Sequence, residues 1–260
     1  MFKILKYSFS DLSRSRWTYV YTGFYALLTM SLFLLSSDLS KVIISLMNVV
    51  LVLVPLIAVV FGVMYYYNSR EFTELLLAQP IKRTDIFLGQ FLGVAGSLAG
   101  SLLVGVGLPF LFYGILGSAE ISNYLILLVT GVCLSIIFSG LAFFIALKNE
   151  NRIKGFGLAI LLWLMFAVIY DGLILLLLAV FSDYPLEKVA IAASLFNPID
   201  LSRILILLKL DISALMGFTG AVFEKFLGSN FGMLLAISSL LLWIAFPLWG
   251  IKHTSQKKDF

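Results

Sequence analysis

The sequence predicts an all-α integral membrane protein with six transmembrane helices, and three observations carry that prediction. Of 260 residues, 61% are hydrophobic, 23 are phenylalanine and only 12% are charged. A soluble globule cannot hide that much apolar surface. Six apolar runs, at about 17–35, 42–66, 86–116, 124–147, 156–181 and 231–251, each approach or exceed the roughly 20 residues that cross a bilayer. The third observation is the placement of positive charge. With the N-terminus inside, 13 of the 18 lysines and arginines fall in inner segments and 5 in outer ones. Four of those five lie in one long outer loop, which counts little towards orientation. Both ends are therefore expected in the cytoplasm, and the chain reads as one transmembrane domain, 1–260.

Residues 2–16 place Phe2, Leu5, Phe9 and Leu12 on one helical face, with Lys3, Lys6, Arg14 and Arg16 elsewhere. That is a basic amphipathic helix suited to an inner leaflet with anionic lipid headgroups. No apolar run precedes a small-residue cleavage site, so the run at 17–35 is expected to be an uncleaved first span. Residues 36–41 form a tight outer turn, and Pro55 is expected to kink span two. Tyr65, Tyr66 and Tyr67 read as an interfacial aromatic belt at its inner end.

Span three carries Gly89, Gly93, Gly96, Gly100 and Gly107 on one helical face. Small residues on one face let another backbone approach closely. The stripe is read as packing within the subunit, with a dimer seam as the alternative. Lys148, Arg152 and Lys154 form a basic inner loop after span four. Span five carries Asp171, the one carboxylate placed inside a span. An intramembrane charge costs several kcal/mol unless paired, which makes Asp171 a candidate site; the competing view is a hydrogen-bonded structural role near the outer interface.

Residues 182–230 form the longest segment outside a span. Pro185, the Asn197-Pro198 pair and Asp211 are helix-start signals, implying three short outer helices. The stretch 201–210 is apolar on nearly all sides yet too short to cross, so it is expected to be buried or re-entrant. Span six ends in a short polar tail, KHTSQKKDF.

Several chemistries are excluded. There is no G-x-x-x-x-G-K-[ST] and no Gly-Lys pair, so the chain builds no P-loop. One cysteine (Cys133) and one histidine (His253) leave no disulfide framework and no Cys/His metal cluster. Basic residues sit at membrane edges rather than forming a nucleic-acid face.

The longest polar interruption in the first two-thirds of the chain is 68–85, NSREFTELLLAQPIKRTD. Glu71, Phe72, Leu75 and Leu76 recur at helical spacing, Gln79-Pro80 stops the helix, and Lys82 and Arg83 mark the inner side. Its pattern E-x-x-E-L-L-L-x-Q-P-x-x-R, from Glu71 and Glu74 through Leu77, Gln79 and Pro80 to Arg83, resembles the coupling helix of ABC-2 type permeases. That resemblance implies an ATPase-docking surface made of Glu71, Phe72, Glu74, Leu75, Gln79, Pro80, Lys82 and Arg83.

The outer segment FNPIDLSRILILLKLDISALMGFTGAVFEKFLGS, 196–229, is similar to the NosY family of ABC-2 permeases. The likeness extends over essentially the whole chain. It implies a type V exporter-like fold: six spans, an N-terminal interfacial helix, a coupling helix and short outer helices. It further implies a homodimer with a cytoplasmic NosF-like ABC ATPase dimer inside and a periplasmic β-helix protein, NosD-like, outside. The implied location is the bacterial inner membrane. The family's role is maturation of nitrous oxide reductase during denitrification, with copper on the periplasmic partners, helped by a copper chaperone. ATP and Mg would sit on the ATPase, and this chain would bind no cofactor. The candidate outer docking residues are Asn197, Pro198, Asp200, Arg203, Asp211, Met216 and Phe218.

Copper(I) prefers thiolate and thioether ligands, and imidazole suits copper too. The outer segments hold no Cys and no His, and Met216 is the one obvious thioether there. A mechanical role is therefore expected rather than a copper path. The alternatives are a generic ABC-2 exporter of a lipid or small molecule, and an ATP-independent transporter.

Overall fold

A computed structural model describes residues 1–181, 192–210 and 230–257. Among them there is no strand, and six helices are long and apolar enough to cross a membrane. The chain is a multi-pass membrane protein.

Helix α1 (Phe2–Ser13) leads into α2 (Arg16–Leu35), and α3 runs from Leu39 to Asn68. The Asp38 carboxylate caps α3, accepting from the Ser40 amide at 3.0 Å. The helix continues through Pro55 without a break. A single residue, Ser69, separates α3 from the short α4 (Arg70–Leu77), and α5 spans Arg83–Phe112. Gly114, at φ 79°, turns the chain there, because the left-handed region suits a residue without a Cβ. Helix α6 then runs back over Ile121–Lys148.

Span five, expected over about 156–181, begins as α7 (Arg152–Leu164). A π-turn occupies Met165–Ile169 before the helix resumes as α8 (Tyr170–Val180). Helix α9 covers Pro198–Lys209 and α10 covers Asn230–Lys257. The expected polar tail is thus helical to Lys257, with Ser255 buried and its hydroxyl on the Lys252 carbonyl. The expected helices at Pro185 and Asp211 lie outside the described residues.

Helices α3 and α6 form the central pair, joined by α5, α7 and α10. A Cβ added at Gly62 would lie 2.9 Å from the Ser139 carbonyl oxygen, so a glycine there lets the two backbones touch. Buried hydroxyls in α6 are satisfied locally: Ser135 and Ser139 donate to carbonyls four residues back at 2.9 and 2.6 Å.

The glycine stripe of α5 packs within the chain over its first half. A Cβ at Gly89 would meet Ile4 at 3.1 Å, and one at Gly93 would meet Ser8 at 2.5 Å. The buried edge of α1 is therefore Ile4, Ser8 and Leu12, while Phe2 and Phe9 remain exposed. The tyrosines expected as a belt are a correction too. Tyr65 and Tyr66 are buried, and the Tyr67 hydroxyl donates to the Asn149 carbonyl at 2.7 Å. Tyr67 thus fastens α3 to the α6–α7 turn, its ring partly covered and its hydroxyl on a backbone acceptor. The first helix, α4, the α6–α7 turn and the end of α10 all gather at one end of the bundle.

Candidate functional site

Helix α4 is only eight residues long, too short to hold itself in water. Two contacts fix it. Thr73, its one buried residue, accepts a hydrogen bond from Gln90 Nε2 of α5 at 2.8 Å and donates to the Ser69 carbonyl at 2.8 Å. Phe72 is half-buried and stacks on Tyr7 of α1, with ring centroids 4.7 Å apart.

The opposite face is open. Glu71, Glu74, Leu75, Gln79, Pro80, Lys82 and Arg83 are all exposed, and Leu75 is 68% exposed. Arg70 pairs with Glu74 at 3.1 Å along that surface, a contact worth little by itself. Seven of the eight residues expected to dock an ATPase are therefore exposed, and Phe72 turns inward to α1. Thr73 and Gln90 were not expected, although a glutamine inside a glycine-rich apolar span was a visible signal.

The far half of the bundle holds a second cluster. Asp171, two residues past the π-turn, pairs with Arg203 of α9 at 2.8 Å. The same guanidinium nitrogen donates to Asp200 at 2.9 Å. Side-chain exposures of 28% for Arg203, 25% for Asp171 and 15% for Asp200 place all three largely out of solvent. Burial, and then the nearby Asp171 charge, push the Asp200 carboxyl up to about 7.

The π-turn takes part in this cluster. Asn197 caps α9 by accepting from the Ile199 amide at 3.0 Å, and its Nδ2 donates to the Phe166 carbonyl at 3.0 Å. A π-turn disturbs the regular ladder and frees such a carbonyl. Tyr170 donates to the Ala193 carbonyl at 2.6 Å, and Trp243 of α10 donates to Leu195 at 3.2 Å. Helix α9 is buried on nearly all sides, from Ile199 through Leu207, among α3, α6 and α10. The stretch 201–210, expected to be buried or re-entrant, is buried over most of its length, with Lys209 exposed.

That burial corrects two expected docking residues. Asn197 and Pro198 face inward, because the cap and first turn of α9 are spent on the π-turn and core. Asp200 and Arg203 are half-buried and engaged with Asp171. Asp211, Met216 and Phe218 lie outside the described residues. Cys133 is free and half-buried in α6, and His253 stacks on Trp249 at the α4 end.

No protein-family model matches the chain. Its sequence is 27% identical over 270 residues to the probable ABC transporter permease protein NosY of Stutzerimonas stutzeri, covering 96% of this chain and 93% of that protein. The chain resembles NosY along nearly its whole length. The NosY of Pseudomonas aeruginosa is also 27% identical, over 214 residues that cover 79% of this chain and 74% of that protein. The similarity to NosY and the six-span helical fold expected with it are both borne out.

Proposed function

We propose that this chain is the permease subunit of an ABC complex that couples ATP hydrolysis by a separate cytoplasmic ATPase to copper-site maturation of nitrous oxide reductase in the periplasm. The observation that carries the reading is the likeness to NosY over 96% of the chain, joined to the exposed face of α4. The chain acts as a homodimer in the inner membrane, with both termini and α4 in the cytoplasm, and contributes no catalytic group. ATP binding draws two ATPase subunits together and pushes on Leu75, Glu71 and Glu74. The push reaches α5 through the Thr73–Gln90 hydrogen bond and α3 through the one-residue junction at Ser69. At the far end, the Asp171–Arg203 pair ties span five to α9, so tilting the spans moves α9 and the outer surface that holds a NosD-like partner.

Such a mechanism requires the outer partner to bind with different affinity in the two nucleotide states. Copper remains on the periplasmic proteins and does not pass through this chain.

The test is complementation of a denitrifying host that lacks its own permease. Nitrous oxide reductase is purified and its copper measured, and chains that co-purify with the tagged permease are identified. The proposal expects restored copper together with a P-loop ATPase and a periplasmic β-helix protein. An ATPase partner with copper-free reductase would point to a generic exporter, and no ATPase at all would end the ABC reading.

A further inference from the structure

At the α4 end, the last turns of α6 and α10 enclose a groove of about 490 Å³ lined by Phe144, Lys148, Trp249, His253 and Lys257. Its construction starts from Gly250. A Cβ there would lie 2.9 Å from the Phe144 ring, so the glycine lets that ring rest directly on α10. The Lys148 ammonium sits 4.5 Å above the centre of the same ring. On the other side Trp249, 64% exposed, stacks on His253 with ring centroids 5.4 Å apart and 9° between planes. Lys148 and Lys257 are exposed, and no carboxylate lines the groove among the described residues.

The groove does not stand alone. Leu242, Phe246 and Trp249 are exposed, and with His253 and Lys257 they follow one another at intervals of three or four residues along α10. They form a stripe down one face, about 22 Å long at 1.5 Å per residue. Its polarity changes in one direction: aliphatic, then aromatic, then cationic at the end of a membrane span. An occupant matching that gradient has a hydrocarbon tail and an anionic head. We infer that the α6–α10 groove binds an anionic phospholipid, its phosphate between Lys148 and Lys257 and its acyl chain along Trp249, Phe246 and Leu242. A second copy of the chain suits the groove poorly, since a two-fold contact would set like cations against each other. Basic pockets between spans hold lipid headgroups elsewhere by this chemistry.

The test uses the full chain in nanodiscs of phosphatidylcholine with or without brominated phosphatidylglycerol, with native mass spectrometry of retained lipid. Quenching specific to the site is the difference between the wild type and Trp249→Phe. The expected result is preferential retention of phosphatidylglycerol and bromine quenching of Trp249. Each lysine near an anionic headgroup supplies about a fivefold factor, so Lys148→Gln with Lys257→Gln weakens retention on the order of thirtyfold. The Lys148→Arg, Lys257→Arg pair keeps it. Equal retention by the glutamine pair overturns the inference, as does equal quenching by brominated phosphatidylcholine. Protection of Trp249 by inorganic phosphate alone would make it a free-anion site, and a change in oligomer mass in the glutamine pair would assign the groove to a second copy; either result also overturns it.

Discussion

The guanidinium of Arg203 lies 2.8 Å from an Asp171 oxygen, so a charge inside span five is neutralised from a buried helix 32 residues further along. The pair supports a structural role for Asp171, because an ion placed largely out of water persists only when it is paired. It also joins the two unusual pieces of the fold, the π-broken fifth span and α9.

This pairing makes the two sides of the ion pair unequal to mutation. Asp171→Asn keeps a hydrogen-bond acceptor for Arg203 and leaves Asp200 to balance its charge, so it is expected to be tolerated. Arg203→Met strands two carboxylates and is expected to cost about 2 kcal/mol. That is less than the roughly 3–5 kcal/mol of a fully buried pair, since each group is partly wetted. Thermal unfolding in detergent checks the order. Equal losses in both variants would contradict it.

A pH dependence follows from Asp200, which faces Asp171, Arg203 and Tyr170. Its carboxyl in the fold is pushed above its ordinary value, to about 7, chiefly by burial. The folded state therefore favours the protonated form. The corresponding stability is complete below the ordinary carboxylate range near pH 4 and is lost as pH rises through about 7. The wild type should gain melting temperature between pH 8 and pH 5 relative to Asp200→Asn, whose amide cannot titrate. Parallel curves for the two proteins would refute this.

For α4, the exposed face predicts loss of partner binding without loss of fold. Leu75→Asp, or charge reversal of Glu71 and Glu74 together, is expected to abolish ATPase co-purification while the chain elutes and melts as before. Survival of the complex at moderate salt would show that the ATPase docks elsewhere.

Hydropathy and charge made the six spans and the α4 interruption legible, because both depend on composition over windows of ten to twenty residues. The stretch 201–210 was legible as buried for the same reason: it is too apolar for water and too short to cross. The π-turn was not. Met165–Ile169 contains no Gly or Pro, and the partner that takes up its Phe166 carbonyl, Asn197, lies 31 residues away in the sequence. The inward turn of Asn197 and Pro198 escaped for the same reason, since a helix-start signal says where a helix begins and nothing about what surrounds it. Tyr65 and Tyr66 misled because a tyrosine cluster at a span end has the same pattern whether it meets lipid or neighbouring helices.

A push on α4 would reach the bundle through the few contacts that hold this short helix in place. A helix of eight residues is marginal alone, and α4 is held by the Tyr7–Phe72 stack and the hydrogen bond from Gln90 to Thr73. Gln90 is fully buried, so this bond is shielded from competing water. Gln90→Leu removes the donor while Thr73 keeps its own bond to the Ser69 carbonyl. A lost bond of this kind is worth about 1–1.5 kcal/mol, which corresponds to roughly tenfold faster amide exchange across Arg70–Leu77. The docking face is unaltered, so the ATPase should still co-purify and hydrolyse ATP. What should fall is copper loading of the reductase per ATP consumed, because α4 would then move without carrying α5. Unchanged exchange in α4 together with unchanged coupling would show that the force enters through α3 at Ser69 instead.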